Sequence, residues 1–329
     1  NIIKQVTLFF RNHMPKLISD EEFIKLWGEL KSCQKISTKT GISIRAVQMR
    51  RRAMESRYGL NLQANEEKPF IERHSARINI PIQDGIVIVF SDAHFWNNDE
   101  TTAFKALIKF IKELKPKAVI ANGDVFDGAN ISRHGRIGFL EHRPTVIDEL
   151  NACKEMLGRI EDACKTVKPS PFLTWTLGNH DSRFETYLAA VAPEYEFVNG
   201  FHLKDHFPAW KPCWATWIND VCIKHRWKGG VHATHNNTMG AGTSIVTGHL
   251  HSLKVSAYTD YTGTRYGVDT GTLAEIDGDQ FLNYTEDNPK NWRSGFAVLS
   301  FHKGKLLPPE LVEVIEDDVV AFRGQAYEL

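Results

Sequence analysis

The sequence predicts a layered α/β domain, its sheets flanked by helices, preceded by a small all-helical unit. Three observations predict it. Residues 1–60 show helical spacing, capping residues and terminating glycines, with no strand pattern. From residue 82 onwards, apolar runs of strand length alternate with amphipathic helical stretches. Each run ends in a knot of Asp, Asn, His and Gly, and ligands bind at the carboxyl ends of strands in open α/β sheets.

The helical unit is readable from its punctuation. Ser19 is placed to cap a helix, with Glu22 three residues later as its capping-box partner. Phe23, Ile24, Trp27 and Leu30 follow at helical spacing. A short helix then runs from Ser32 to Gly41, where a glycine tolerates positive φ. Ser43 caps a third, basic helix from Ile44 to about Tyr58, closed by Gly59. Two short helices around a glycine-containing turn, the second rich in Arg, form the helix-turn-helix pattern.

Residues 61–81 are polar and aperiodic and read as a linker, so the second domain is expected to span 82–329. Gly85–Phe90 and Lys117–Ala121 are continuous apolar runs, hence strands buried on both faces. Helical patterns cover about 101–114, 145–165 and 182–192, with a third strand at 172–177. Val221–Lys224 and Thr243–Thr247 read as later strands. Beyond His251, alternating runs at 254–259, 265–268 and 296–301 have antiparallel character.

Composition excludes several classes. The 329 residues are 42% hydrophobic and 24% charged, which rules out a disordered tail, a fibre or a coiled-coil rod. The net charge is zero but unevenly spread. Residues 1–70 carry +6 and the remainder −6, and residues 31–60 hold eight basic residues against one acidic. Such asymmetry points to two modules with different partners. Five cysteines with no C-x-x-C pair fit thiols in a reducing compartment. Neither a secretory signal pattern nor an apolar stretch of about 18 residues occurs. A cytoplasmic protein is expected, with a few residues upstream of Asn1.

The chemistry lies where strands end. The motifs are Asp92-Ala-His94, Gly123-Asp124-Val-Phe-Asp127, Gly178-Asn179-His180-Asp181, His225, and Gly248-His249-Leu-His251. Asp oxygen and His nitrogen suit Mn, Fe, Zn or Ni. Two ligands at i and i+2 after a strand can reach one metal, and a carboxylate can bridge two. Flanking glycines let the backbone turn beside a crowded centre. Two ions about 3.5–4 Å apart clamp a phosphoryl group and acidify bound water.

This ordered series, D-x-H, G-D-x-x-D, G-N-H-D, H, G-H-x-H, resembles the calcineurin-like metallophosphoesterase superfamily. The resemblance implies a β-sandwich flanked by helices and a phosphoester hydrolase with two divalent metal ions. Manganese is the expected metal, with Fe, Zn, Ni or Mg as alternatives. Asp92, His94 and His251 would bind one ion and Asn179, His225 and His249 the other, with Asp124 bridging. His232 and His235 are alternatives to His225, which is preferred because it directly follows an apolar run. His180 would serve the leaving oxygen, and Asp181 would orient its imidazole. Asp127 would support a ligand or bind weakly itself. Loaded with two divalent ions, residues 71–329 would move from −6 to about −2.

Arg133, His134 and Arg183 follow metal motifs and are candidates for phosphate contacts. Trp96, Trp227 and Trp292 could stack on bases, but packing is their expected role. Protein Ser/Thr phosphatases of the superfamily carry Arg directly after G-D-x-x-D, where this chain has Gly128. The form Gly123-Asp-Val-Phe-Asp127 is closer to the nuclease branch. Residues 39–48 resemble the turn and recognition helix of homeodomain-like modules. Arg45, Gln48, Met49 and Arg52 share a face with Glu55, and Arg50, Arg51 and Arg57 flank it. Such residues contact phosphates and base edges. The expected function is therefore a nuclease or phosphodiesterase that its first module delivers to DNA. The alternative is a DNA-binding regulator with phosphatase activity on a small nucleotide or phosphoprotein.

Overall fold

The computed structural model describes residues 18–60, 62, 76–96, 100–133, 143–281, 285 and 288–329. The chain divides into two compact units, Asn1–Arg73 and His74–Leu329.

The described part of the first unit is three helices: α1 (Asp20–Leu30), α2 (Cys33–Thr40) and α3 (Ile44–Tyr58). Each begins on a serine whose hydroxyl accepts from the backbone N–H three residues on, at 3.2–3.3 Å. α2 and α3 close on Gly41 and Gly59 at φ 73° and 62°. Ile18, Phe23, Trp27, Ile36, Val47 and Met54 form the core between them. Asp20 ties α3 to α1, accepting from Arg50 Nη2 (3.1 Å), Arg57 Nη1 (2.8 Å) and Tyr58 Oη (3.1 Å). The Arg50 and Arg51 guanidinium groups lie over the rings of Phe23 and Trp27.

The second unit opens with β1 (Arg77–Ile80), inside the stretch expected to be linker. Four residues are too short for periodicity to register, but they pair in parallel with β6 (Ala215–Ile218). β2 (Gly85–Phe90), β3 (Ala118–Ala121), β4 (Phe172–Thr176) and β5 (Lys211–Cys213) run parallel at one side of a nine-stranded sheet. β11 (Gly295–His302) pairs antiparallel with β2 and extends the sheet through β13 (Glu310–Glu316), β14 (Val319–Phe322) and β15 (Gln325–Glu328). The short strand β12 (Lys305–Leu306) pairs with β11. A six-stranded sheet has the order β1-β6-β7-β8-β10-β9, with β7 Val221–Ile223, β8 Ile245–Thr247, β9 Lys254–Asp260 and β10 Gly263–Asp269.

Side-chain alternation explains the layering. Val87 and Val89 of β2 join Ile120, Ile223, Val246 and Val268 between the two sheets. Ile88 and Phe90 point the other way, into a core with α4 (Thr102–Leu114) and α5 (Val146–Lys165). Strands buried on both faces need no polar alternation, which is why β2 and β3 read as continuous apolar runs. Thr145 and Asp148 form a reciprocal capping box at the start of α5. Three helices complete the unit: α6 (Asp181–Val191), the short α7 (Leu203–His206) and α8 (Ala233–Ala241). α8 begins directly after His232, which follows the Gly229–Gly230 pair. All five cysteines are free thiols. No helix among the described residues is long and apolar enough to cross a membrane.

Candidate metal centre

Both sheets deliver their motif residues to one edge. Asp92 and His94 follow β2, Asp124 and Asp127 follow β3, and Asn179 to Asp181 follow β4. His225 follows β7, and His249 and His251 follow β8. The donor atoms of Asp92, His94 and His251 lie within 4.8 Å of one another, as do those of Asp124, His225 and His249. His94, Asp127 and His180 form a third such group. His225 thus lies in the donor cluster. His232 is exposed, and the His235 ring packs against Tyr258 at 5.5 Å.

The loops that carry these groups are strained. Asp92, His94, Asp124, His249 and His251 all have left-handed φ, from 42° to 73°. Non-glycine residues adopt this region at a cost, and such strain concentrates at functional sites. Neighbouring backbone holds the strain in place. His94 N–H donates to the Asp124 carbonyl (3.0 Å) and Asp92 N–H to that of Gly123 (2.9 Å). Close approach also dictates glycine. A Cβ at Gly178 would overlap Asp124 Oδ1, and one at Gly123 would overlap the His225 ring.

Each central carboxylate is pinned through one oxygen and faces imidazoles with the other. Asp92 Oδ2 accepts from His249 N (2.9 Å) and Ser91 Oγ, while Oδ1 lies 3.1 Å from His251 Nε2. Asp124 Oδ1 accepts from His180 N (2.8 Å), while Oδ2 lies 3.0 Å from His225 Nε2. Burial opposes charge on Asp92, but the imidazoles of His251 and His225 outweigh it and hold the carboxyl down at about 2. Burial likewise opposes charge on His225, yet Asp124 and Asp92 push it up to about 10.

The donor set fits divalent ions. Asn179 Oδ1 and His251 Nδ1 are buried with no hydrogen-bond partner, and His225 Nε2 makes only a misaligned 3.0 Å approach to Asp124 Oδ2. A buried polar atom left unpaired costs roughly 1–3 kcal/mol, and coordination would recover it. His225 Nδ1 is held by the Asn122 carbonyl at 2.8 Å, leaving Nε2 towards the cluster.

The role expected of Asp181 is corrected. Its carboxylate does not orient His180. It accepts from the backbone N–H groups of Asp124, Val125, Phe126 and Gly178 and from the Trp175 indole, all at 2.8–3.0 Å. As the first residue of α6 it points into the protein and clamps the Asp124 loop to the β4 turn. Asp127 orients the histidines instead, its Oδ1 lying 2.8 Å from His94 Nδ1 and 2.9 Å from His180 Nδ1.

A cavity of about 420 Å³ opens over the cluster, lined on one side by His94, Asp124, Asp127, Asn179, His180, Arg183, His249 and His251. Arg183 donates to the Asp127 carbonyl (2.9 Å), and its Nη2 lies 3.1 Å from His180 Nε2. Gly128 leaves the space that Arg183 occupies, since a Cβ there would meet the Arg183 side chain at 3.3 Å. Arg133 is exposed and lies outside the cavity lining, and His134 lies outside the described residues. Gln280, Phe281, Lys290 and Trp292 complete the lining, and of these the sequence had pointed only to Trp292. In the first unit Arg45, Gln48, Met49 and Arg52 are exposed, whereas Arg50, Arg51 and Arg57 are engaged within that unit.

The chain is similar to several known proteins. The chain is 27% identical over 251 residues to the Gene 54 protein of Mycobacterium phage L5, covering 70% of this chain and 93% of that protein. Among solved structures, a Vps29 mutant from Entamoeba histolytica is similar with a TM-score of 0.38 at 11% identity, over 74% of this chain and 99% of that one. Pseudomonas putida nuclease MPE gives 0.33 at 12% identity, over 74% and 87%. The family model for calcineurin-like phosphoesterases matches residues 86–270, more than half of the chain, which spans all the ligand motifs, and the protein belongs to that family.

Proposed function

We propose that the protein is a phosphodiesterase with two divalent metal ions, manganese first among them, which cleaves DNA brought to it by its N-terminal unit. The observation that carries this reading is the pair of adjacent donor groups, Asp92–His94–His251 and Asp124–His225–His249, beside an Asn179 oxygen with no partner. Bound divalent ions supply Lewis-acid stabilisation of a phosphoryl group and an activated water. The chain's own residues do the rest. His180 is half-buried at the cavity wall, and Asp127 holds its Nδ1. Burial opposes a proton on His180, but Asp124 and Asp127 outweigh it and raise its pKa. It is thus suited to donate a proton from Nε2 to a leaving oxygen. Arginine only donates, so while the 3.1 Å contact to Arg183 stands His180 Nε2 accepts and the ring is the neutral Nδ1–H form; Nε2 can carry a proton only once a substrate oxygen has displaced that contact. A phosphoryl oxygen entering between them would accept from both guanidinium and imidazolium.

The delivery role rests on α3. Its serine cap, glycine stop and preceding short helix suit a helix-turn-helix, with Arg45, Gln48, Met49 and Arg52 exposed for a groove. The deciding experiment is a substrate panel with Mn²⁺: a monoester, a diester, and single- and double-stranded DNA. Cutting of DNA that is abolished in Asp124→Ala and weakened by deleting residues 1–60 is the expected result. Hydrolysis of the monoester with no cutting of DNA under any metal would instead favour a regulator acting on a small nucleotide or phosphoprotein.

A further inference from the structure

The aromatic part of the cavity lining brings to the metal centre a chemistry that phosphoester cleavage alone does not require. The Trp292 ring centroid lies 4.5 Å from that of His251 and 5.1 Å from that of Phe281. Phe281 in turn sits 5.2 Å from His94 and 5.5 Å from His251. This aromatic pair is therefore seated directly on histidines of the metal cluster. Phe281 is buried, Trp292 is half-buried, and Lys290 is exposed beside them. All three also border a second hollow of about 630 Å³, which continues the cavity away from the metals. Ligand pockets measure roughly 300–1,000 Å³, so the space beyond the metals is that of an organic ligand rather than of a phosphate alone.

We propose that Trp292 and Phe281 form a nucleobase subsite next to the scissile phosphate, with Lys290 contacting a flanking phosphate. The inference rests on the phosphodiesterase reading and names what lies beside the phosphate: a base with an aromatic face. Bases stack on aromatic side chains whatever their sequence, and a nearby cation tracks the backbone. A ring that contacts the ligand His251 can hold only the nucleotide adjoining the reacting phosphate, so the subsite acts at the cleavage position and not at a distance. Trp292 thus has a role beyond the packing expected for it.

The test uses the full-length chain and a pair of slowly hydrolysed ligands: a dithymidine phosphorothioate and its abasic counterpart, which carries the same charge. Affinities are measured by calorimetry with and without Mn²⁺, beside metal analysis of each variant. The expected result is tighter binding of the base-bearing ligand. Trp292→Ala should cost that ligand roughly ten-fold in affinity and leave the abasic ligand unchanged. Trp292→Phe should retain most of the preference, and Lys290→Ala should weaken both ligands alike. Equal binding of the two ligands by the unaltered protein overturns the subsite. So does a Trp292→Ala variant that weakens both to the same extent. A base preference in a protein that hydrolyses no diester would leave the subsite standing and sink the phosphodiesterase reading. Diester hydrolysis without base preference would do the reverse.

Discussion

Asp127 lies three residues after Asp124 and Asp181 one after His180, and the structure separates their roles. Asp127 touches the rings of His94 and His180, so its loss should be felt in metal affinity and turnover. Asp127→Asn is expected to lower either by roughly 10–100-fold with little change in melting temperature. Asp181 instead collects four backbone N–H groups and one indole. Asp181→Asn turns an amide N–H₂ towards some of those donors and should destabilise the fold by roughly 1.5–3 kcal/mol. Thermal melts and metal analysis distinguish the two variants. Matching phenotypes would refute the division. The motif G-N-H-D revealed that both His180 and Asp181 matter. It did not reveal that a helix begins between them and turns their side chains apart.

Loops between elements carry the strain, and their anchors are testable. Gly178 sits where the turn after β4 meets Asp124. Gly178→Ala must displace the Asp124 carboxylate or its backbone, which should cost about 1–3 kcal/mol and reduce bound metal on elemental analysis. α5 anchors the neighbouring loop, because Glu149 accepts from Gly128 N (2.7 Å) and Ala129 N (3.0 Å). Burial pushes Glu149 up to about 8, and Asp127 adds to the shift. Its folded pKa thus lies above the ordinary 4.5, so its contribution to stability is full below that value and lost as pH rises through about 8. In urea titrations across this window, the unaltered protein should lose stability relative to Glu149→Gln. Parallel curves would sink the assignment. Helix ends were legible, since Ser19, Ser32, Ser43, Thr101 and Thr145 cap through contacts three residues away. β1 was not, because a four-residue edge strand exists only through its partner β6.

Across the whole chain, the zero net charge conceals a basic unit and an acidic one. Under the proposed function, DNA affinity should fall steeply with salt. The Arg45→Ala/Arg52→Ala double variant should reduce the slope of log K against log salt by roughly 2. Arg50→Ala should act mainly on the stability of the first unit, because Arg50 is occupied with Asp20 and Phe23. Fluorescence anisotropy over a salt series would show the difference, and an unchanged slope in the double variant would remove α3 from the interface. The sequence by itself placed the candidate ligand motifs in order at the ends of strands, and showed the buried parallel strands and the approximate helix ends. The strands and helix ends rest on contacts a few residues apart or on the periodicity of a single element, whereas the ligand roles rest on the family resemblance of the motifs. The tertiary structure alone decided that His225 rather than His232 or His235 reaches the cluster, that Asp127 rather than Asp181 holds His180, and that Trp292 stands on His251. Those outcomes depend on the directions in which strained loops aim side chains across two sheets, and no local pattern encodes such directions.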